Sequence, residues 1–245
     1  MLNPRIKAFA IHLLVSVFLA LLVIFLVFLV WYPSPLHSAV GVTQIFLMLV
    51  AIDVVLGPFL TLLVYKPGKK TLVMDLSVIC ALQLCAMIYG LHAVAEGRPV
   101  WLVFVDDHFS LVRNNEIDER KINEAKAGYK SPSWLGPEWV SVAEPEGLDE
   151  RNDLLFESAL AGIDISQRPN LYRPLGVAAM SLKSAGKPIS VLEKYNDAAD
   201  VDEVVRAYPQ AGRWLPLKAA HRDMVVLLGE ESGEVVAVVD LRPWE

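Results

Sequence analysis

Three long apolar runs fill most of the first 95 residues, and beyond them the chain changes to short apolar runs divided by polar turns. The first run extends from Ala8 to Trp31, the second from Val42 to Tyr65 and the third from Thr71 to Ala95. At about 1.5 Å of rise per residue, roughly 20 helical residues cross a hydrocarbon core about 30 Å thick, so each run is long enough to span a bilayer. The first run exceeds the roughly 7 to 15 apolar residues of a signal peptide, which predicts an uncleaved span despite the basic start at Arg5 and Lys7. The pattern thus divides the chain into a three-helix transmembrane region, 1–95, and a water-soluble domain, 96–245.

The connections give an orientation. Lys66-Pro67-Gly68-Lys69-Lys70 is a tight basic turn between antiparallel neighbours, whereas the loop from Tyr32 to Gly41 has no Lys or Arg. Because loops on the cytoplasmic side retain basic residues, the N-terminus and the 66–70 turn are expected inside, and the 32–41 loop and everything after Ala95 outside. Trp31 with Tyr32, and Tyr89 with Trp101, are expected at the outer interface, where aromatic rings are favoured.

The second part reads as α+β. Arg98 to Val105 (RPVWLVFV) is too short for a further span and predicts a buried strand, with Phe109 to Arg113 as its continuation or neighbour. Glu116 to Ala127 predicts a polar helix with Ile117 and Ile122 inward, and Trp139 to Ala143 a short strand. Leu154 to Leu160 predicts a helix ending at Gly162, a natural left-handed residue, and Asp164 to Pro174 a loop. Short helices are expected at Leu192 to Asn196 and Val201 to Ala207. Strands are expected at Trp214 to Ala219, Met224 to Leu228 and Val235 to Leu241, the last two forming a C-terminal hairpin around GEESGE. The expected sheet pairs the first strand with the C-terminal ones.

Charge sharpens the division. Residues 1–95 hold five basic and two acidic side chains, and residues 96–245 hold 17 basic and 26 acidic, a net −9 that disfavours nucleic acid as a partner. Cys80 and Cys85, five apart in the third run, lie about 140° apart around a helix turning about 100° per residue, so they are not expected to pair. No metal-binding spacing or catalytic motif is present, and no cofactor is expected.

Two groups of residues invite chemistry. Asp53 falls near the middle of the second span, where a carboxylate costs on the order of 2.5 to 3.5 kcal/mol, so it must be protonated, paired or turned to the bundle interior. It shares a helix face with Gly57 and Thr61; Pro58 removes a backbone donor beside them. That face is read either as a contact for a partner's transmembrane helix or proton relay, or as an internal hydrogen bond to His12, Ser16, Ser77 or Gln83. Asp75 opens the third span, where a carboxylate suits the helix dipole. In the second part, Asp106-Asp107-His108 is read as an acid/base or metal group, or as a strand-end turn with solvated charges; Arg173, Arg213, His221, Arg222 and Asp223 supply further polar groups.

AIDVVLGPFLTLLVYKPGKK across the second span, MDLSVICALQLCAMIYGLH in the third and GRPVWLVFVDDHFSLVRNNEID at the exit together resemble the TfpX/TfpZ family of type IV pilin accessory proteins. The resemblance covers roughly residues 1 to 120 strongly, its specific features being D-x-x-x-G-P at Asp53, Gly57 and Pro58 and the run from Phe104 to Val112. It implies a non-enzymatic accessory factor of the bacterial inner membrane that binds the major type IV pilin, and with it the pilus assembly platform, and modulates assembly, retraction and surface piliation. It brings no catalytic residues. Combined with the residue reading, it makes Asp53, Gly57, Pro58 and Thr61 the expected contact for the pilin's membrane helix, and Phe109 one for its periplasmic head. The rival expectation is a membrane-anchored periplasmic enzyme that modifies pilin or envelope through Asp106, Asp107 and His108.

Overall fold

The computed structural model describes residues 3–143, 147, 152, 154, 156–158, 160 and 162–245. It divides into two compact units: residues 1–30 with 42–97, and residues 31–41 with 98–245.

The first unit is built from three helices, each long and apolar enough to cross a membrane. Helix α1 (Pro4–Phe25) starts at Asn3, whose side chain accepts the Arg5 N–H, with Pro4 in the first turn where its missing N–H costs nothing. It runs on as a π-helical stretch, Leu26–Trp31. After a short helix, α2 (Leu36–Val40), come α3 (Val42–Val64) and α4 (Leu72–Glu96). These bounds follow the three apolar runs. α3 packs against both α1 and α4. Glycine permits the second contact: a Cβ on Gly90 would lie 2.4 Å from the Leu49 Cδ1. The outward faces carry exposed leucine, isoleucine and valine, Leu14, Ile45, Val73 and Leu82 among them, a surface suited to acyl chains.

Among the described residues, the second unit carries a mixed eight-stranded sheet. Its strands are β1 (Pro99–Val105), β2 (His108–Arg113), β3 (Glu138–Val142), β4 (Tyr172–Pro174), β5 (Lys187–Pro188), β6 (Ala211–Lys218), β7 (Met224–Gly229) and β8 (Val235–Val239). The order is β4-β3-β1-β2-β6-β7-β8; β5 pairs with the first half of β6, leaving the end of β6 to pair with β2. The β1–β3 and β2–β6 pairs are parallel and the others antiparallel. The C-terminal hairpin is β7–β8, as the alternation predicts. Phe109 to Arg113 is the neighbour of the first strand, paired from Val105↔His108 to Pro99↔Arg113.

One strand pairing differs from expectation. β1 does not meet the C-terminal strands, because both its edges are occupied by β2 and β3; the C-terminal strands join through Phe109↔Leu217 and Ser110↔Lys218. Its position explains its composition. Leu102 and Phe104 enter one core with Phe109, Leu215, Leu217 and Val226, while Trp101, Val103 and Val105 enter another with Val112, Val140 and Tyr172. Alternate residues of a strand point to opposite faces, so burial on both faces demands an unbroken apolar run.

Trp101 therefore lies in a core, with its ring 5.4 Å from that of Tyr172, and not at a membrane interface. Tyr32 is buried as well, and burial pushes its phenol well above the ordinary tyrosine range although Arg113 and Arg98 act in the opposite direction. The polar helix expected over Glu116 to Ala127 is instead three 3-10 segments, Asn114–Glu116, Glu119–Glu124 and Ala127–Tyr129. Asp118 prevents a continuous helix: its N–H donates to the Gln167 carbonyl, and its side chain caps the next turn at Arg120. Asp164 to Pro174 holds two 3-10 turns and β4. Of the helix expected over Leu154 to Leu160, Leu155 and Ala159 lie outside the described residues; Gly162 is left-handed at φ 67°.

The loop between the first two spans belongs to this second unit. Leu36 and Ala39 of α2 are buried in the same core as Leu102 and Phe104.

Candidate functional site

Between α1 and α4, over a floor formed by α3, lies a cleft of about 550 Å³. Ile11, Val15 and Leu19 of α1 and Leu76, Leu84 and Met87 of α4 line it with hydrocarbon. A smaller set of polar side chains converges there: His12 and Ser16 from α1, Asp53 and Thr61 from α3, and Gln83 from α4.

Side-chain hydrogen bonds fix part of this set. The His12 Nδ1 and the Thr61 Oγ1 lie 2.6 Å apart, joining α1 to α3. The Gln83 Nε2 donates to the Asp53 carbonyl at 2.9 Å, joining α4 to α3. The Arg5 guanidinium closes the other end of the α1–α3 contact by donating to the Leu62 carbonyl and, at 3.0 Å, to the Leu63 carbonyl in the last turn of α3, where a cation favours the helix dipole. Gln83 is packed against Gly57, where an added Cβ would fall 1.9 Å from its Oε1. That oxygen is buried and has no hydrogen-bond donor among the described residues, a condition that costs about 1–3 kcal/mol in a protein interior.

The residues singled out in the sequence occupy different places. Asp53 lines the cleft, and its backbone carbonyl accepts from the Gln83 Nε2. Gly57, Pro58 and Thr61 are buried inside the helical unit, where Gly57 admits Gln83 and Thr61 binds His12. Their part is to shape the cleft. Phe109 has no exposed surface; it packs between Phe104 and Trp139 with ring centroids 5.4 and 5.1 Å away. His12, Gln83 and the α4 wall were legible only as possible partners of Asp53, because which faces of three apolar helices meet is a tertiary fact.

Asp106 and Asp107 form the exposed two-residue turn between β1 and β2, with Asp106 at a positive φ of 52°. His108 Nδ1 lies 3.0 Å from Asp107 Oδ1, and this hydrogen bond holds the Asp107 carboxyl below its ordinary range. The other polar residues serve structure separately. Arg213 donates to the carbonyls of Lys183 and Gly186, Arg173 to the Tyr172 carbonyl, and Asp223 accepts from the Ala219 N–H and the Trp244 Nε1. Among the described residues no group of three or more His, Cys, Asp or Glu side chains is placed to hold a metal.

The architecture defines a membrane protein with three apolar helices and an attached mixed-sheet domain. Residues 1–41 match the family model described as "Fimbrial assembly protein FimB". The chain is 32% identical to the fimbrial assembly protein of serogroup E1 from Dichelobacter nodosus over 247 aligned residues, covering 98% of this chain and 96% of that relative. It is 31% identical to the serogroup I protein of the same organism, covering 75% of this chain and 72% of the relative. The chain belongs to the fimbrial assembly protein (FimB) family. No solved structure gives a significant match.

Proposed function

We propose that this protein is a non-enzymatic accessory factor of the type IV pilus, of the TfpX/TfpZ kind, that sits in the bacterial inner membrane, binds the major pilin and modulates pilus assembly, retraction and surface piliation. Family membership supports the process, and the resemblance read from the sequence supports the pilin as partner. The observation that carries the molecular reading is the cleft floored by Asp53. Its hydrocarbon walls accept the flank of an apolar helix, while His12, Ser16 and Gln83 offer polar contacts to a carboxyl group carried within such a helix, as pilins carry one. Without water, each such contact counts for more than it does at a surface.

The topology supports the same reading. Residues 31–41 and 98–245 form one compact unit, so the first loop and the sheet domain share one side of a bilayer that the helices cross. The basic turn at 66–70 then lies on the other side with Arg5 and Lys7, which by the charge rule is the cytoplasm. The sheet domain stands in the periplasm, beside a membrane-held pilin's head.

Photocrosslinking in the native membrane tests the proposal. A photoreactive residue at Asp53 is expected to capture the major pilin, and one at Met180, 87% exposed, probes the head contact that buried Phe109 is not placed to make. Asp53→Leu is expected to reduce pilin recovery while the protein stays in the membrane. Unchanged recovery, with no pilin captured at Asp53, removes the cleft from the function.

A further inference from the structure

The periplasm-assigned unit exposes two large apolar side chains side by side, Trp134 at 60% and Leu135 at 86%. They stand at the tip of a short loop, Ser131 to Gly136, whose shape is fixed. The Leu135 N–H donates to the Ser133 Oγ at 3.0 Å, Gly136 takes a φ of 118°, and Pro132 and Pro137 bracket the tip. A loop held this way presents its side chains at little further entropic cost.

Its neighbours locate it. The Trp134 ring lies 5.9 Å from that of Trp31, the last residue of the first span, and the Arg98 guanidinium sits 4.1 Å over the Trp134 ring, two residues beyond the end of α4. Trp31 and Arg98 belong to the same unit as Trp134, and each adjoins in the chain the end of a span. The level at which spans end is the headgroup region of the bilayer, where an indole and a cation stacked on it are both favoured. The approach to the tip is basic: Lys121, Lys126 and Lys130 stand against Glu124 alone between residues 121 and 136, in a domain otherwise acidic. Lysines are attracted to anionic lipid headgroups over a distance of about a Debye length.

We infer that the 131–136 loop is an interfacial anchor: Trp134 lies among lipid headgroups and Leu135 inserts into the acyl boundary, pinning the sheet domain against the membrane from which its chain emerges. The occupant of this surface is phospholipid. Of the four aromatic residues expected at the interface, Trp31, Tyr32 and Trp101 are buried in the domain and Tyr89 is exposed; the anchor adds Trp134, which the sequence pattern does not single out.

Depth-dependent fluorescence quenching tests this on the full-length chain in phosphatidylethanolamine–phosphatidylglycerol vesicles. With Cys80 and Cys85 replaced by serine, single cysteines at Leu135, at Leu14 on the lipid-facing side of α1 and at Glu231 in the exposed β7–β8 turn carry an environment-sensitive dye. Nitroxide lipids are expected to quench the Leu135 and Leu14 probes several-fold more than the Glu231 probe. Quenching at Leu14 with none at Leu135 overturns the anchor while leaving the spans intact, and quenching at neither position overturns both. A Leu135 probe that stays in water in vesicles and is shielded only when a pilin is added also overturns the inference, making the tip a protein contact.

Discussion

The carbonyl oxygen of Ala39 accepts the backbone N–H of His221 at 3.0 Å, and that of Arg222 at 3.1 Å. Ala39 lies in the loop between the first two membrane helices, and His221 in the turn between β6 and β7. A connection that the linear chain presents as a short extramembrane loop is therefore built into the sheet domain, with Leu36 and Ala39 buried among its core side chains. The domain is joined to the membrane helices by three chain crossings, at residues 30–31, 41–42 and 97–98, and not by one.

Gly41 makes the middle crossing possible. Its φ of 77° lies in the left-handed region, and a Cβ there would approach the His221 Cγ to 2.8 Å. Gly41→Ala is expected to destabilise the sheet domain by at least about 1–2 kcal/mol from the backbone conformation alone. His221→Ala removes the Cγ contact but leaves its own Cβ at 3.1 Å, so the double variant should recover part of the loss and not all of it. Thermal unfolding of the four proteins in detergent checks this; full additivity would show that the two residues do not meet.

Gly57 is expected to set the spacing of α3 and α4. In Gly57→Ala the new methyl displaces the Gln83 amide and breaks its bond to the Asp53 carbonyl, a loss of about 0.5–1.5 kcal/mol. Gly57→Leu demands more room than one flexible side chain can yield and should separate the helices. Pairing Gly57→Ala with Gln83→Ala should cost no more than Gln83→Ala alone. Crosslinking yield between cysteines placed on α3 and α4 reads the spacing, and an unchanged yield in Gly57→Leu would contradict the packing described.

The three spans, the β-hairpin and the central strand were legible because each depends on composition over a local window: length for a span, an unbroken apolar run for a strand covered on both faces. Neighbour relations were not. Nothing in RPVWLVFV distinguishes pairing with β3 from pairing with β6, and a single tryptophan reads the same at an interface as in a core, as Trp101 does. Asp53 stood out because a carboxylate is costly in hydrocarbon. The side chains that complete its cleft are ordinary apolar residues whose convergence only the folded helices reveal.

Acid should act on the sheet domain through Asp118 and Glu157. Hydrogen bonds from Arg120, with Arg168 nearby, hold the Asp118 carboxyl below its ordinary range; Arg168 first and Arg120 second do so for Glu157. A carboxyl depressed on folding contributes stability that is present above its unfolded pKa and lost as pH falls through the folded value, so the loss is expected below about pH 4. Arg168 is nearly buried and Arg120 half exposed, so Arg168→Met should reduce stability at neutral pH more than Arg120→Ala and should flatten the acid dependence. Tryptophan fluorescence followed across an acid titration measures it; an acid dependence unchanged by Arg168→Met would place the sensitive carboxylates elsewhere.

The Asp106-Asp107-His108 turn separates the accessory reading from its enzymatic rival. Glycine adopts the positive φ at position 106 without steric cost, so Asp106→Gly should retain the fold. Asp107→Ala and His108→Ala remove one exposed hydrogen-bonded pair and should change stability little. All three are expected to retain normal surface piliation and pilin recovery. If instead the turn performs chemistry, each variant folds and still captures pilin at Asp53 but loses piliation. Asp106→Gly is the decisive member, since glycine is compatible with that backbone conformation and a loss of piliation in a variant shown by circular dichroism to be folded points to the missing carboxyl.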